Sequence, residues 1–213
     1  MMNMNADQVE SLRALLAPTG WLERTTLFAR ALRRSTRTPH GLLVLGSAAD
    51  EPWHMTAHLE DESRWADLPE LWPTLVRWAP PPGAPAHLSV GLDRLREADR
   101  SHTLLVVSGD TAQANLLERV HDVRRLGATV LALDRGDPEL DGLAHESLAV
   151  PEATAPVSFD AAQHLVTAAA GQPPPTGGNG RGSRPVVAGR EPPAGLRSRL
   201  ARLLDSVTGT PAD

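Results

Sequence analysis

The chain has no cysteine among its 213 residues, which excludes disulfides, thiolate metal sites and a cysteine nucleophile. It has no lysine either: every permanently cationic side chain is arginine. A Schiff-base lysine is therefore excluded, and no G-x-x-x-x-G-K-[ST] segment exists to cradle a nucleotide phosphate. Tyrosine is also missing, and aromatic residues make up 3% of the chain, five of them tryptophan. No apolar run approaches the about 18 residues of a membrane span. A net charge of −5 works against nonspecific attraction to nucleic acid or anionic lipid, so neither is an expected partner. The first ten residues are polar and acidic and lack the basic start and apolar stretch of a secretory leader, which favours a cytoplasmic location.

What is present is an alternation of short apolar runs with helical patterns. Apolar residues at helical spacing predict two leading helices, one through Val9, Leu12, Leu15 and Leu16 and one from Trp21 to Leu32. Residues 42–45 form a buried strand ending in Gly46-Ser47. A helix entered through Pro52 then runs past His58 toward Trp65. A second strand spans 74–78, a four-proline loop 79–85, and a helix falls near 88–98. The strongest strand is 103–107. It turns through Ser108-Gly109-Asp110-Thr111 into a helix over 112–126 that stops at Gly127. A strand over 128–133, a short helix over 138–144, a last strand over 147–150 and a closing helix over 159–170 complete the order. Strand-helix alternation with short connections predicts a three-layer α/β/α sandwich around a mostly parallel sheet, one domain over residues 1–170. Residues 171–195 are rich in proline and glycine and read as a disordered linker. Residues 196–207 carry Leu196, Leu200, Leu203, Leu204 and Val207 on one stripe, a short amphipathic helix open to a protein partner, followed by a tail over 208–213.

In a parallel sheet, ligands gather at the carboxyl ends of the strands, where helix N-termini present free N–H groups. Ser47 and Ser108 fall there. Ser108 or Thr111 can donate a hydroxyl to a phosphate oxygen, and Gly109 allows close backbone approach; capping of the next helix is the competing role for Ser108 or Asp110.

The segment GLDRLREADRSHTLLVVSGDTAQANLLERVHDVRRLGATVLALDRGDPELDGLAHESLAVP resembles the second half of a sugar-isomerase (SIS) domain. The shared pattern is an apolar strand ending in Ser-Gly-x-Thr, a helix ending in Gly-Ala, another apolar strand, Asp-Pro-x-Leu and x-Val-Pro. LLVLGSAAD and SFDAAQHLVTAAA extend the likeness over about residues 41–171. The resemblance implies a phosphosugar-binding fold, commonly dimeric, with Ser47, Ser108, Gly109 and Thr111 as phosphate-binding positions. Such domains usually carry Ser-x-Ser-Gly-x-Thr; this chain has Val107-Ser108-Gly109-Asp110-Thr111, one hydroxyl fewer, and Asp50 and Glu51 follow the first turn. The expectation is a noncatalytic, regulatory binder of a phosphorylated sugar or related metabolite, a homodimer without a cofactor. One alternative is an aldose–ketose isomerase, whose acid–base groups would be His164, at a position that resembles a functional histidine of some SIS isomerases, and Glu152 after the last strand. The other is a dimeric scaffold with a vestigial pocket.

His54, His58 and Glu62 recur every fourth residue along one predicted helix face. The H-E-x-x-H pattern of zinc proteases is absent, so no metal site is expected. Trp53, Trp65, Trp72 and Trp78 cluster between the first two strands, where they are expected to pack a helix on the sheet, with a sugar platform as the alternative. Asp134 and Asp137 follow a strand and are given no role beyond turn formation.

Overall fold

The computed structural model describes residue 16 and residues 19–85 and 88–172. The first predicted leading helix, apart from Leu16, and the linker beyond 172, amphipathic segment and tail lie outside the described residues.

Among the described residues, five α-helices and five strands follow in the order α1 (Trp21–Ser35), β1 (Leu42–Leu45), α2 (Trp53–Ala66), β2 (Pro73–Val76), β3 (Thr103–Ser108), α3 (Ala114–Arg125), β4 (Thr129–Asp134), α4 (Pro138–Leu143), β5 (Glu146–Ala149) and α5 (Phe159–Ala170). The strands form one sheet in the order β2-β1-β3-β4-β5, and every pairing is parallel. Because consecutive side chains of a strand point to opposite faces, each short apolar run supplies both layers. Leu42, Val44, Leu105, Val107, Leu131 and Leu133 pack with α1, α2 and α5 on one side. Leu43, Leu45, Leu104, Val106, Val130 and Ala132 pack with α3, α4 and a 3-10 helix, Leu92–Glu97, on the other. Burial on both faces is why β1 and β3 read as continuous hydrophobic runs and not as an alternation.

The helices bury one stripe each. In α1 it is Trp21, Thr25, Phe28, Ala29 and Leu32, with Glu23 in the first turn and Arg33 and Arg34 in the last, a charge order that opposes the helix dipole. Ser158 caps α5 by accepting the Ala161 N–H at 3.1 Å. Among the described residues no helix is long and apolar enough to cross a membrane.

Two expectations change. The helix near 88–98 is a six-residue 3-10 helix, because a parallel bridge from Arg77 holds Gly91 extended and leaves too little chain for α-helical turns. The tryptophans do not all pack α2 on the sheet: Trp53 is 67% and Trp65 49% exposed, while Met55 and Leu59 make that contact.

Candidate functional site

β1 lies between β2 and β3, so the chain leaves β1 toward one edge and returns on its other side. This reversal opens a crevice beyond the carboxyl ends of β1 and β3. The turn after β1 folds back tightly. A β-carbon at Gly46 would lie 2.3 Å from the Asp50 carbonyl oxygen and 2.5 Å from Pro52 Cδ, so only glycine fits. The indole N–H of Trp78 donates to the Gly46 carbonyl at 2.9 Å.

Both serines of the predicted phosphate site are buried and bonded within their own turns. Ser47 Oγ accepts the Asp50 N–H at 3.0 Å, and the Ser108 hydroxyl donates to the Asp110 carbonyl at 2.8 Å. Glu51 is neutralised by Arg77, 2.6 Å away. Asp50 stays at the crevice, its Oδ2 3.8 Å from where a β-carbon of Gly109 would stand.

Gly109 and Thr111 border a cavity of about 510 Å³ shared with Asp110, Arg135 and Glu152 at the ends of β3 and β4. Arg135 reaches Glu152 at 3.4 Å and lies over the Phe159 ring at 5.4 Å from its centroid. Asp137 holds the cavity wall together. Its Oδ1 accepts the Glu139 and Leu140 N–H groups at the start of α4, and its Oδ2 accepts the Ala112 N–H from the β3–α3 turn at 2.8 Å. Burial acts against the charge of Asp137, yet these three donors outweigh it and keep the carboxyl below its ordinary range. Asp134, opposite Ser108 in the sheet, is shifted the other way by burial, although it accepts the Asp137 N–H at 2.8 Å. A second recess of about 410 Å³ lies beside Trp53 and Trp78, with Asp50 and Glu51 on its border. Asp50 thus stands between the two recesses.

The two residues proposed for proton transfer have different surroundings. Glu152 is on the cavity rim, its side chain 85% exposed. His164, 4% exposed on α5, instead meets His54 and His58 of α2. The ring centroids are 4.7 Å apart for His54–His58, 5.0 Å for His54–His164 and 4.5 Å for His58–His164. Glu62, third in the sequence stripe, is outside this group. Asp160, one turn before His164, places carboxylate oxygens 3.5 Å from His164 Nε2 and 3.9 Å from His54 Nδ1. Burial, then the neighbouring His164 and His54, hold His58 below its ordinary pKa. Burial lowers His164 as well, against the opposing pull of Asp160.

The site and sheet define an open, doubly wound parallel α/β domain with two recesses at the carboxyl edge. No family model matches the chain, and no curated protein matches it. Among solved structures it is similar to a candidate phosphosugar isomerase from Silicibacter pomeroyi, at 16% identity and a TM-score of 0.47, over 78% of this chain and 49% of that one. It is also similar to a candidate sugar-binding protein from Salmonella typhimurium, at 14% identity and a TM-score of 0.38, over 73% and 49%. The chain thus spans about half the length of either structure.

Proposed function

We propose that the chain is a SIS-like domain that binds a phosphorylated sugar or related metabolite, without turning it over, at the carboxyl edge of its sheet. The observation that carries this reading is the cavity at the ends of β3 and β4, where Gly109, Thr111 and Arg135 border one space. The Gly109 backbone on the cavity border, the Thr111 hydroxyl and the Arg135 guanidinium suit an anion, and a guanidinium fits phosphate oxygens in pairs. Arg135 lies over the Phe159 ring and is ion-paired with the exposed Glu152, and an incoming phosphate can take the place of Glu152 in that pair. The Asp110 and Glu152 carboxylates suit sugar hydroxyls. In this reading Ser47 and Ser108 shape the turns, and Gly109 and Thr111 meet the phosphate. The noncatalytic part is supported by the different surroundings of His164 and Glu152, since isomerisation needs an acid and a base at adjacent carbons of one substrate.

The test is a thermal-shift series with hexose and pentose phosphates, the free sugars serving as controls. A ligand at about 100 times its Kd stabilises by about 2.7 kcal/mol, which for a chain of this size is a rise in Tm of about 5–10 °C. The rise is expected with at least one sugar phosphate and is expected to shrink in Arg135→Ala. No rise with any sugar phosphate at millimolar concentration removes the binding reading, and conversion of a bound aldose phosphate to its ketose removes the noncatalytic part.

A further inference from the structure

We propose that His54, His58 and His164 form a site for one divalent transition-metal ion of the zinc class, with Asp160 beside it and one coordination position open. One ring nitrogen from each histidine lies within 4.8 Å of the other two. Zinc at about 2.0–2.1 Å from each nitrogen sets neighbouring tetrahedral ligands about 3.3 Å apart. His54 Nε2 and His58 Nε2 are 2.9 Å apart and the trio spans up to 4.8 Å, so small side-chain rotations, outward within that pair and inward for His164, bring the three nitrogens to the ion.

The fold builds this arrangement from two elements. The i,i+4 spacing places His54 and His58 on one face of α2, and α5 packs against that face with His164 turned toward it. The three imidazoles are graded in burial. His164 is enclosed, His58 half-buried and His54 exposed, so the ion would be anchored from the core and reached from solvent on the His54 side. Three protein nitrogens with a free fourth position are the donor set of a reactive zinc site, not of a closed structural one.

The charges agree with this geometry. A metal needs neutral imidazole, and His164 is enclosed and His58 half-buried, away from bulk water. Asp160 and Asp61 are the carboxylates that act on these rings. Asp160, at 3.5 and 3.9 Å from two of them, supplies negative charge next to a dication and can orient the rings. The competing explanation is a hydrogen-bonded histidine cluster that serves only to join α2 to α5. That cluster has no use for an ion.

The experiment uses the tag-free 213-residue chain, stripped with chelator and titrated with Co²⁺ and then Zn²⁺. The expected result is visible cobalt absorption that saturates at one ion per chain, displacement by Zn²⁺, and a higher Tm for the zinc form. His54→Gln and His58→Gln are each expected to abolish the one-ion endpoint, and Asp160→Asn to weaken affinity about 10- to 100-fold. Because His54 is exposed, its variant keeps the fold and decides the matter even if a change at His164 does not. No saturable binding of either ion, or a one-ion endpoint that survives both histidine variants, overturns the proposal.

Discussion

Replacing Asp137 tests how the walls of the cavity at the ends of β3 and β4 are held. This carboxylate caps α4 through Glu139 and Leu140, and its second oxygen accepts the Ala112 N–H from a different turn. Asp137→Ala removes an N-cap, worth about 1 kcal/mol, and leaves a buried N–H without its acceptor, which costs about 1–3 kcal/mol. The sum, about 2–4 kcal/mol, corresponds to a fall in Tm of about 5–15 °C for a chain of this size. Asp137→Asn keeps one acceptor oxygen for the cap while its amide faces the Ala112 N–H, so its loss should fall between wild type and alanine. The sign with pH follows from the depressed carboxyl. Asp137 stabilises the fold above its unfolded value, near 3.8, and that contribution is lost as pH falls through the lower folded value. The gap between wild type and Asp137→Ala should therefore be full at pH 7 and narrow as pH falls below about 3.8. Thermal melts by circular dichroism from pH 3 to 7 provide the measurement. A fall of less than about 2 °C for alanine at pH 7, or an asparagine variant as damaged as alanine, would refute the reasoning.

Two further outcomes can be measured in the same way. Asp134 is shifted upward by burial, so its stabilising contribution is present in acid and lost as pH rises through its raised folded value. Asp134→Asn should thus gain in Tm relative to wild type between pH 4 and 7, and a constant or shrinking difference contradicts this. Gly46→Ala sets a β-carbon 2.3 Å from a backbone oxygen; it should lower Tm more than Gly142→Ala, where a β-carbon meets nothing within 4 Å, and equal losses would show that the first turn is not tight.

Much of the fold is legible in the sequence because the central strands β1, β3 and β4 are short, doubly buried and punctuated by glycine. The predicted 128–133 strand lies one residue from the observed Thr129–Asp134, and the predicted 159–170 helix coincides with α5. The 3-10 helix was not legible, since it follows from Arg77 pairing with Gly91, a contact between separate segments. The site is less legible for the same reason. Strand-end position identifies Ser47 and Ser108, but not that their hydroxyls are used within their own turns. The spacing of His54 and His58 is visible along one helix, whereas His164 joins them only because α5 docks on α2. Arg135 carries no local signal at all. It matters because β4 ends beside β3.

The docking of α5 has a consequence for the order of folding. α1 and α2, early in the chain, both receive α5, which is the last described helix, and β1 cannot be flanked on both sides until β3 has been made. A nascent chain that stops short of α5 holds two of the three histidines and an uncovered sheet face. The histidine cluster is therefore complete only when the two ends of the domain have closed on each other, and a ligand held by all three would bind the finished fold and none of its precursors.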